Sequence, residues 1–235
     1  IANFSTLRCL EQIRNDACYH GVNVNIVSVG GGFSYGPLGA SHHATEDLSI
    51  MTSLPDITVV SPSTYWESEQ VAKALIKNKK VCYLRLDKSS GEDPVKENEP
   101  FILGKPRVLK KGNHGTIFVT GGILEEVWSS YYELKKKGYN FKIVSVHTLK
   151  PLDSKTIISI LKETSFIITV EENTLRGGLG SILAETLIDN NISVDKFIRI
   201  GLGDNFTKIV GSQKYLRKIN GIDSISITKK ILKSL

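Results

Sequence analysis

Apolar residues at Phe4, Leu7, Leu10, Ile13 and Ala17 recur with helical spacing and Gly21 ends the run, so residues 4–20 are predicted as a helix. Residues 22–29 alternate, are rich in valine and are predicted as a strand. After a glycine-rich break, Thr45 is the expected N-cap of a further helix. Glu46 and Asp47 then lie in its first turn, where carboxylates complement the helix dipole. A short apolar strand at 56–60, a Ser61-Pro62-Ser63 turn, a helix to about residue 78 and a strand at 81–86 follow. Residues 88–99 read Lys-Ser-Ser-Gly-Glu-Asp-Pro-Val-Lys-Glu-Asn-Glu, polar and without an apolar period, which marks a domain boundary.

Beyond it the alternation restarts. An edge strand is predicted at 104–110, strands at 116–120, 141–146, 166–170 and 196–200, and helices at 124–137, 153–163 and up to 189. Helices at 212–220 and 223–235 close the chain. Strand–helix alternation of this kind predicts an α/β protein of two three-layer αβα domains with mainly parallel sheets. The division is 1–90, a linker at 91–104, and 105–235. No residue-level repeat relates the halves.

The break between the first strand and its helix is the feature with chemical content. From Val29 to Asp47 it reads Val-Gly-Gly-Gly-Phe-Ser-Tyr-Gly-Pro-Leu-Gly-Ala-Ser-His-His-Ala-Thr-Glu-Asp, with five of the chain's 20 glycines and two of its five histidines. Glycine at this density excludes a helix or strand interior. A long loop at the carboxyl end of a strand is where α/β proteins place ligands. His42 closes it just before a helix, where an imidazole can exchange a proton near a bound anion; a loop-capping role is the alternative.

Composition adds limits. An apolar content of 40% and a charged content of 23% are those of an ordinary globular protein, and no window approaches the ~18 apolar residues of a membrane span. Cys9, Cys18 and Cys82 are too few and too scattered for a disulfide framework or a metal quartet, so a reducing cytoplasm is expected. The net charge of +6 comes from dispersed lysines without interleaved aromatics. That pattern suits solvated helix faces or an anionic small substrate better than single-stranded nucleic acid. Ile1 is not an initiator methionine, so a processed start or a fragment is expected.

Five groups of residues, in order, now bear on family. They are Glu11-Gln12-Ile13-Arg14-Asn15-Asp16; Gly39-Ala40-Ser41-His42-His43; and Glu46-Asp47-Leu48 running through Ser53-Leu54-Pro55. The second half contributes His147-Thr148-Leu149-Lys150-Pro151-Leu152-Asp153, and Val170-Glu171-Glu172 with Gly177-Gly178-Leu179-Gly180. On these the chain resembles the carboxyl-terminal part of the transketolase family, thiamine diphosphate enzymes that move two-carbon units between sugars. The resemblance implies most of a pyrimidine-binding domain lacking its N-terminal strands, then the transketolase C-terminal domain. It places His42 at the cofactor's reactive ring as the catalytic proton-transfer group. Phe4, Arg8 and Gln12 fall on the cofactor-binding segment, with Phe4 suited to stacking on an aminopyrimidine. Ser41, Arg85 and Lys88 fall where the family binds substrate, and a guanidinium fork suits a sugar phosphate. His43 has no equivalent role. Glu171, Glu172 and the following glycines are expected to serve packing and subunit contact.

Two positions depart from the pattern. Leu38 stands where pentose-pathway transketolases carry an acidic residue that reads a sugar hydroxyl, and Gly30 stands where they carry a histidine. An ordinary pentose-pathway substrate is therefore not expected. The family's Gly-Asp-Gly…Asn motif for Mg²⁺ and its activating glutamate do not occur in these residues. The diphosphate and Mg²⁺ are thus expected to be held by a missing domain or a partner chain, no metal ligand is expected here, and the assembly is expected to be a homodimer or heterotetramer. A 1-deoxyxylulose-5-phosphate synthase-like enzyme and a non-catalytic regulatory or scaffold subunit are the alternatives.

Overall fold

In the computed structural model, residues 1–89, 91–95 and 99–235 are described; residues 96–98 of the predicted linker lie outside them. The first predicted helix is interrupted. It forms α1 (Ala2–Leu7), a short α2 (Leu10–Gln12) and a π-helical segment (Ile13–Tyr19). Its apolar stripe is buried only in its later part: Ile13 is in the core with Leu10 and Ala17 packed beside it, whereas Leu7 is exposed. β1 (Asn25–Val29) follows, then α3 (Asp47–Ser53). Thr45 does not cap α3. Its hydroxyl is bound to the Glu46 carboxylate at 2.8 Å, and Glu46 occupies the cap position. β2 (Ile57–Val60) is wholly buried. α4 (Tyr65–Lys77) begins with a reciprocal cap: Thr64 Oγ1 accepts the Glu67 N–H, and the Glu67 carboxylate takes the Ser63 N–H at 2.8 Å. β3 (Val81–Leu86) ends the first half.

The second half runs β4 (Arg107–Lys110), β5 (Thr116–Thr120), α5 (Leu124–Lys136), β6 (Lys142–Ser145), β7 (Thr148–Lys150) and α6 (Ser154–Lys162). It continues with β8 (Phe166–Thr174), α7 (Leu179–Asp189), β9 (Lys196–Leu202), α8 (Gln213–Ile219) and α9 (Ser224–Ser234). β8 extends four residues beyond the predicted strand, carrying Glu171 and Glu172 into the sheet.

The strands form two sheets, ordered β1-β3-β2-β7 and β4-β6-β5-β8-β9. Every pairing is parallel except β2–β7 and β4–β6. The fold is α/β with mainly parallel sheets, as the alternation implied, but β7 crosses from the second half to complete the first sheet. The core follows suit. Leu48, Met51, Val59 and Tyr83 from the first half pack in one cluster with Phe118, Val144, Leu149 and Leu183 from the second. Each such buried side chain contributes about 1.5–3 kcal/mol, so the halves are fastened by shared burial. Arg107 adds a buried polar tie, bonding Glu67 at 2.7 Å, Glu99 at 2.8 Å and Asp93 at 3.1 Å. β1 is a sheet edge with Val27 and Val29 exposed. Among the described residues no helix is long and apolar enough to cross a membrane.

Candidate active site

β1 and β3 pair in parallel, so the glycine loop and the segment after Leu86 leave the sheet side by side. The loop is pinned at its stem. Gly30 N–H donates to Leu86 O at 2.7 Å, and Gly32 and Ala44 exchange backbone hydrogen bonds of 2.7 and 3.0 Å. Between them the chain makes a 3-10 turn (Gly36–Leu38) and returns through Gly39, whose φ of 79° favours glycine. His43 is part of this scaffold: it is buried, its Nε2 is 3.2 Å from Gly36 O, and its ring packs edge-on to Phe33.

His42 points elsewhere. Its ring meets Phe4 of α1 edge-on with centroids 4.9 Å apart, and its Nδ1 lies 3.0 Å from Ser41 Oγ. Arg8 places its guanidinium 4.4 Å from the centroid of Phe4. Asn3 Nδ2 donates to Ser41 O at 2.6 Å and ties α1 to the loop. Four expected site residues, Phe4, Arg8, Ser41 and His42, are thus brought onto one face, with Arg8 and Ser41 exposed and Phe4 and His42 half-buried. Gln12 does not join them. It is exposed on α2, beyond the break in the helix, and makes no side-chain hydrogen bond among the described residues.

Lys88 is exposed, with its Nζ 3.6 Å from the centroid of Tyr35. Tyr35 in turn covers Gly30, where a Cβ would collide with the tyrosine ring. Glycine at position 30 is therefore required by the aromatic ring that fills its place. Leu38 is 54% exposed at the loop's tip, where it offers no hydrogen bond.

Arg85 requires a correction. Its side chain is fully buried, with Nη1 3.1 Å from Asp47 Oδ1 and Nε 3.2 Å from Asp87 Oδ1. Tyr83 OH donates to the other Asp47 oxygen at 2.7 Å. Burial alone would depress the Arg85 pKa, but Asp87 and Asp47 outweigh it and raise it, so the group stays charged. Burial raises the Asp47 pKa, with Arg85 opposing. A guanidinium so enclosed cannot offer its fork to a sugar phosphate. It is instead a strut beneath the glycine loop, close enough that a Cβ on Gly31 would strike it. Asp87 links the strut to the second half by accepting the Gly122 N–H at 2.6 Å.

The second half also reaches the loop. Glu172 Oε1 accepts the Phe33 N–H at 2.9 Å, and a Cβ on Gly32 would come within 2.5 Å of the Glu172 side chain. Arg217 binds Glu172 Oε2 through Nη2 at 2.7 Å and Nε at 2.9 Å. Glu171 faces the opposite way, taking the Leu179 and Gly180 N–H groups at 2.8 and 2.9 Å. Asp47, Asp87, Glu172 and Arg217 are absent from the predicted site. Their signal in the sequence is a charge at a position whose neighbours are core residues.

With this geometry in hand, comparison with known proteins fixes the class. Residues 1–93 match the family model for the transketolase pyrimidine binding domain, and residues 104–220 match that for the transketolase C-terminal domain. The chain belongs to the transketolase family. It is 33% identical over 233 residues to an apulose-4-phosphate transketolase subunit of Phocaeicola vulgatus, covering 98% of this chain and 73% of that one. It is 30% identical over 226 residues to the protein of the same name from Actinobacillus succinogenes, covering 96% of this chain and 72% of that one. A solved structure described as a split gene transketolase, inactive beta4 tetramer, superposes with a TM-score of 0.82 at 27% identity, covering 99% of this chain and 73% of that chain.

Proposed function

We propose that this chain is the part of a thiamine-diphosphate-dependent, transketolase-like transferase that faces the cofactor's rings and the sugar. With a diphosphate-binding subunit or domain it moves a two-carbon ketol unit between sugar phosphates, as a homodimer or heterotetramer in the cytoplasm. One observation carries the reading: Phe4, Arg8, Ser41 and His42 converge on an accessible face of a loop whose other side is fully engaged by the protein. The names of relatives as transketolase subunits support a division of labour between two chains.

An aromatic ring, a guanidinium and an imidazole fit a flat heteroaromatic ring and a substrate oxygen. The diphosphate with its Mg²⁺ is assigned to the partner, in keeping with the relatives' names as transketolase subunits. When bound, thiamine diphosphate supplies the carbanion chemistry of ketol transfer. His42, held at Nδ1 by Ser41, keeps Nε2 for exchanging a proton with a substrate oxygen. Phe4 and Arg8 face the pyrimidine, and Gln12, set apart by the break in the first helix, has no direct part; Ser41 and Lys88 hold the sugar, with Lys88 toward an anionic end. Arg85 has no direct part.

The test is calorimetry with thiamine diphosphate and Mg²⁺, first on this chain and then on its mixture with a diphosphate-binding transketolase subunit encoded beside it, followed by a ketol-transfer assay. The mixture is expected to bind the cofactor at micromolar concentration and to transfer; the chain alone should do neither. Micromolar binding by the chain alone, or a stable mixture that neither binds nor transfers, overturns the reading.

A further inference from the structure

The carboxylate of Glu172 is buried at the meeting point of three segments. It accepts the Phe33 N–H of the glycine loop at 2.9 Å and two contacts of 3.2 and 3.1 Å from Gln213 Nε2. Gln213 also reaches Ser34 Oγ at 3.4 Å, and the segment leading into α8 meets the loop again where Gly211 N–H donates to Gly36 O at 3.4 Å. Arg217, one turn along α8, closes on Glu172 with two nitrogens and spends Nη2 on Ser89 Oγ at 2.9 Å as well. Its Nη1 is held by Glu125 and, at 3.6 Å, by Glu126. Ser89 directly follows Lys88. The pair therefore grips both walls of the proposed site: the loop that carries His42 and the segment that carries Lys88.

This grip leaves little slack. Phe33 is buried, and Gly32 (φ 55°) sits so near the Glu172 side chain that no Cβ fits between them. The Gly32–Ala44 bridge then transmits the fixed stem to Ala44, two residues from His42. Both carboxylate oxygens are bonded and the guanidinium is ringed by acceptors, so the cluster is satisfied without a ligand.

We propose that Glu172, oriented by Arg217 and Gln213, is a positioning residue for ketol transfer. On this reading the C-terminal half sets the distance between His42 and the anion-facing Lys88. The inference rests on the function proposed above for His42. Misplacement of a reacting group by about 1 Å can cost on the order of 10²-fold in rate.

The experiment uses the enzyme reconstituted with its diphosphate-binding partner and thiamine diphosphate. Glu172→Ala is expected to lower kcat about 10- to 100-fold, and Glu172→Gln, which retains an acceptor for Phe33 N–H, to recover to within about threefold of wild type. In a double-mutant cycle, Glu172→Ala should add less than about twofold to the loss caused by His42→Ala, because both act through the same imidazole. Hydrogen exchange on the chain alone should show the Phe33 amide deprotected in Glu172→Ala while the amides of β5 stay protected. Additive losses in the cycle, or an unchanged Phe33 amide, overturn the inference. If His42→Ala leaves transfer intact, the assignment of His42 fails first and the positioning role fails with it. Should Glu172→Ala not fold, Gln213→Ala serves: a several-fold loss of kcat that vanishes in the His42→Ala background supports the inference, and an unchanged kcat refutes it.

Discussion

The loop after β1 and the loop after β8 begin alike in sequence. Each leaves the carboxyl end of a parallel strand, each carries a run of glycines, and each leads into a helix. They differ in what fills them. In the second, the Glu171 carboxylate occupies the start of α7 by taking the Leu179 and Gly180 N–H groups, and Ser181 Oγ takes the Gly177 N–H at 3.0 Å. A Cβ on Gly178 would overlap the carboxylate itself. The hydrogen-bond acceptor that a helix N-terminus invites is already present as a side chain. In the first loop the protein fills only the back, with Tyr35 over Gly30, Arg85 against Gly31 and Glu172 against Gly32. The front, with Ser41 and His42, is left accessible. Glycines at a strand end thus mark close approach of the protein's own side chains in both loops, and only the structure shows which loop keeps an open face.

The largest effect expected from breaking this contrast is at His42. His42→Ala should lower ketol transfer by the reconstituted enzyme about 10²- to 10⁴-fold, the usual scale for a general acid–base group. Because His42 is half-exposed and its ring meets only Ser41 and the edge of Phe4 among the described residues, urea unfolding of the chain should shift by less than about 1.5 kcal/mol. A large stability loss with little change in transfer would place His42 with His43 in the scaffold.

Glu171 should behave in the opposite manner. Glu171→Leu leaves two buried N–H groups unpaired at the start of α7, at about 1–3 kcal/mol each, offset in part by removing a carboxyl that burial disfavours. A net loss of about 3 kcal/mol in urea unfolding is expected, with transfer by the folded fraction unchanged. A loss below about 0.5 kcal/mol would mean that the loop does not depend on its carboxylate.

Much of this was legible in the sequence, and the failures have physical causes. Residues 116–120 and 81–86, apolar but for the threonines that end the first and Arg85 within the second, both form strands over the predicted residues. Asp153, Ser212 and Asp223, where three of the predicted helices begin, each cap the observed helix with a side-chain oxygen. β7 was not legible, because three residues, Thr148–Lys150, are too few to show a period. The interruption of the first helix was hidden too: its apolar spacing continues across Arg8 and Cys9, so periodicity cannot register the break that separates Gln12 from Phe4. Arg85 misled for a different reason. An arginine at the end of a buried strand looks the same whether it meets a phosphate or a carboxylate from another element, and Asp47, which decides it, is 38 residues away. Of the open face, Ser41 and His42 belong to a recognisable loop, whereas Phe4 and Arg8 come from the first helix and meet that loop only in the fold. The Glu172–Arg217 clamp spans 45 residues and offered no such cue.

The filled loop also carries a pH signature, though it is masked. Burial pushes the Glu171 carboxyl up to about 7 from 4.5, with the Gly180 and Leu179 N–H groups opposing. From pH 4.5 to 7 the folded state therefore holds a proton that the unfolded state has released, and stability falls as pH rises. His147, buried where β6 passes to β7, is pushed down to about 4 from 6.5 by desolvation. Between pH 4 and 6.5 the unfolded state holds the extra proton, and stability falls as pH falls. Over pH 4.5–6.5 the two slopes have opposite sign and nearly cancel, each worth about 1.4 kcal/mol per pH unit. Glu171→Gln should expose the histidine, so that its stability relative to wild type rises with pH across this window; His147→Gln should do the reverse. Urea unfolding at pH 4.5, 5.5 and 6.5 with a constant m-value reads both, and parallel profiles for wild type and the two variants would show that neither group changes its proton affinity on folding.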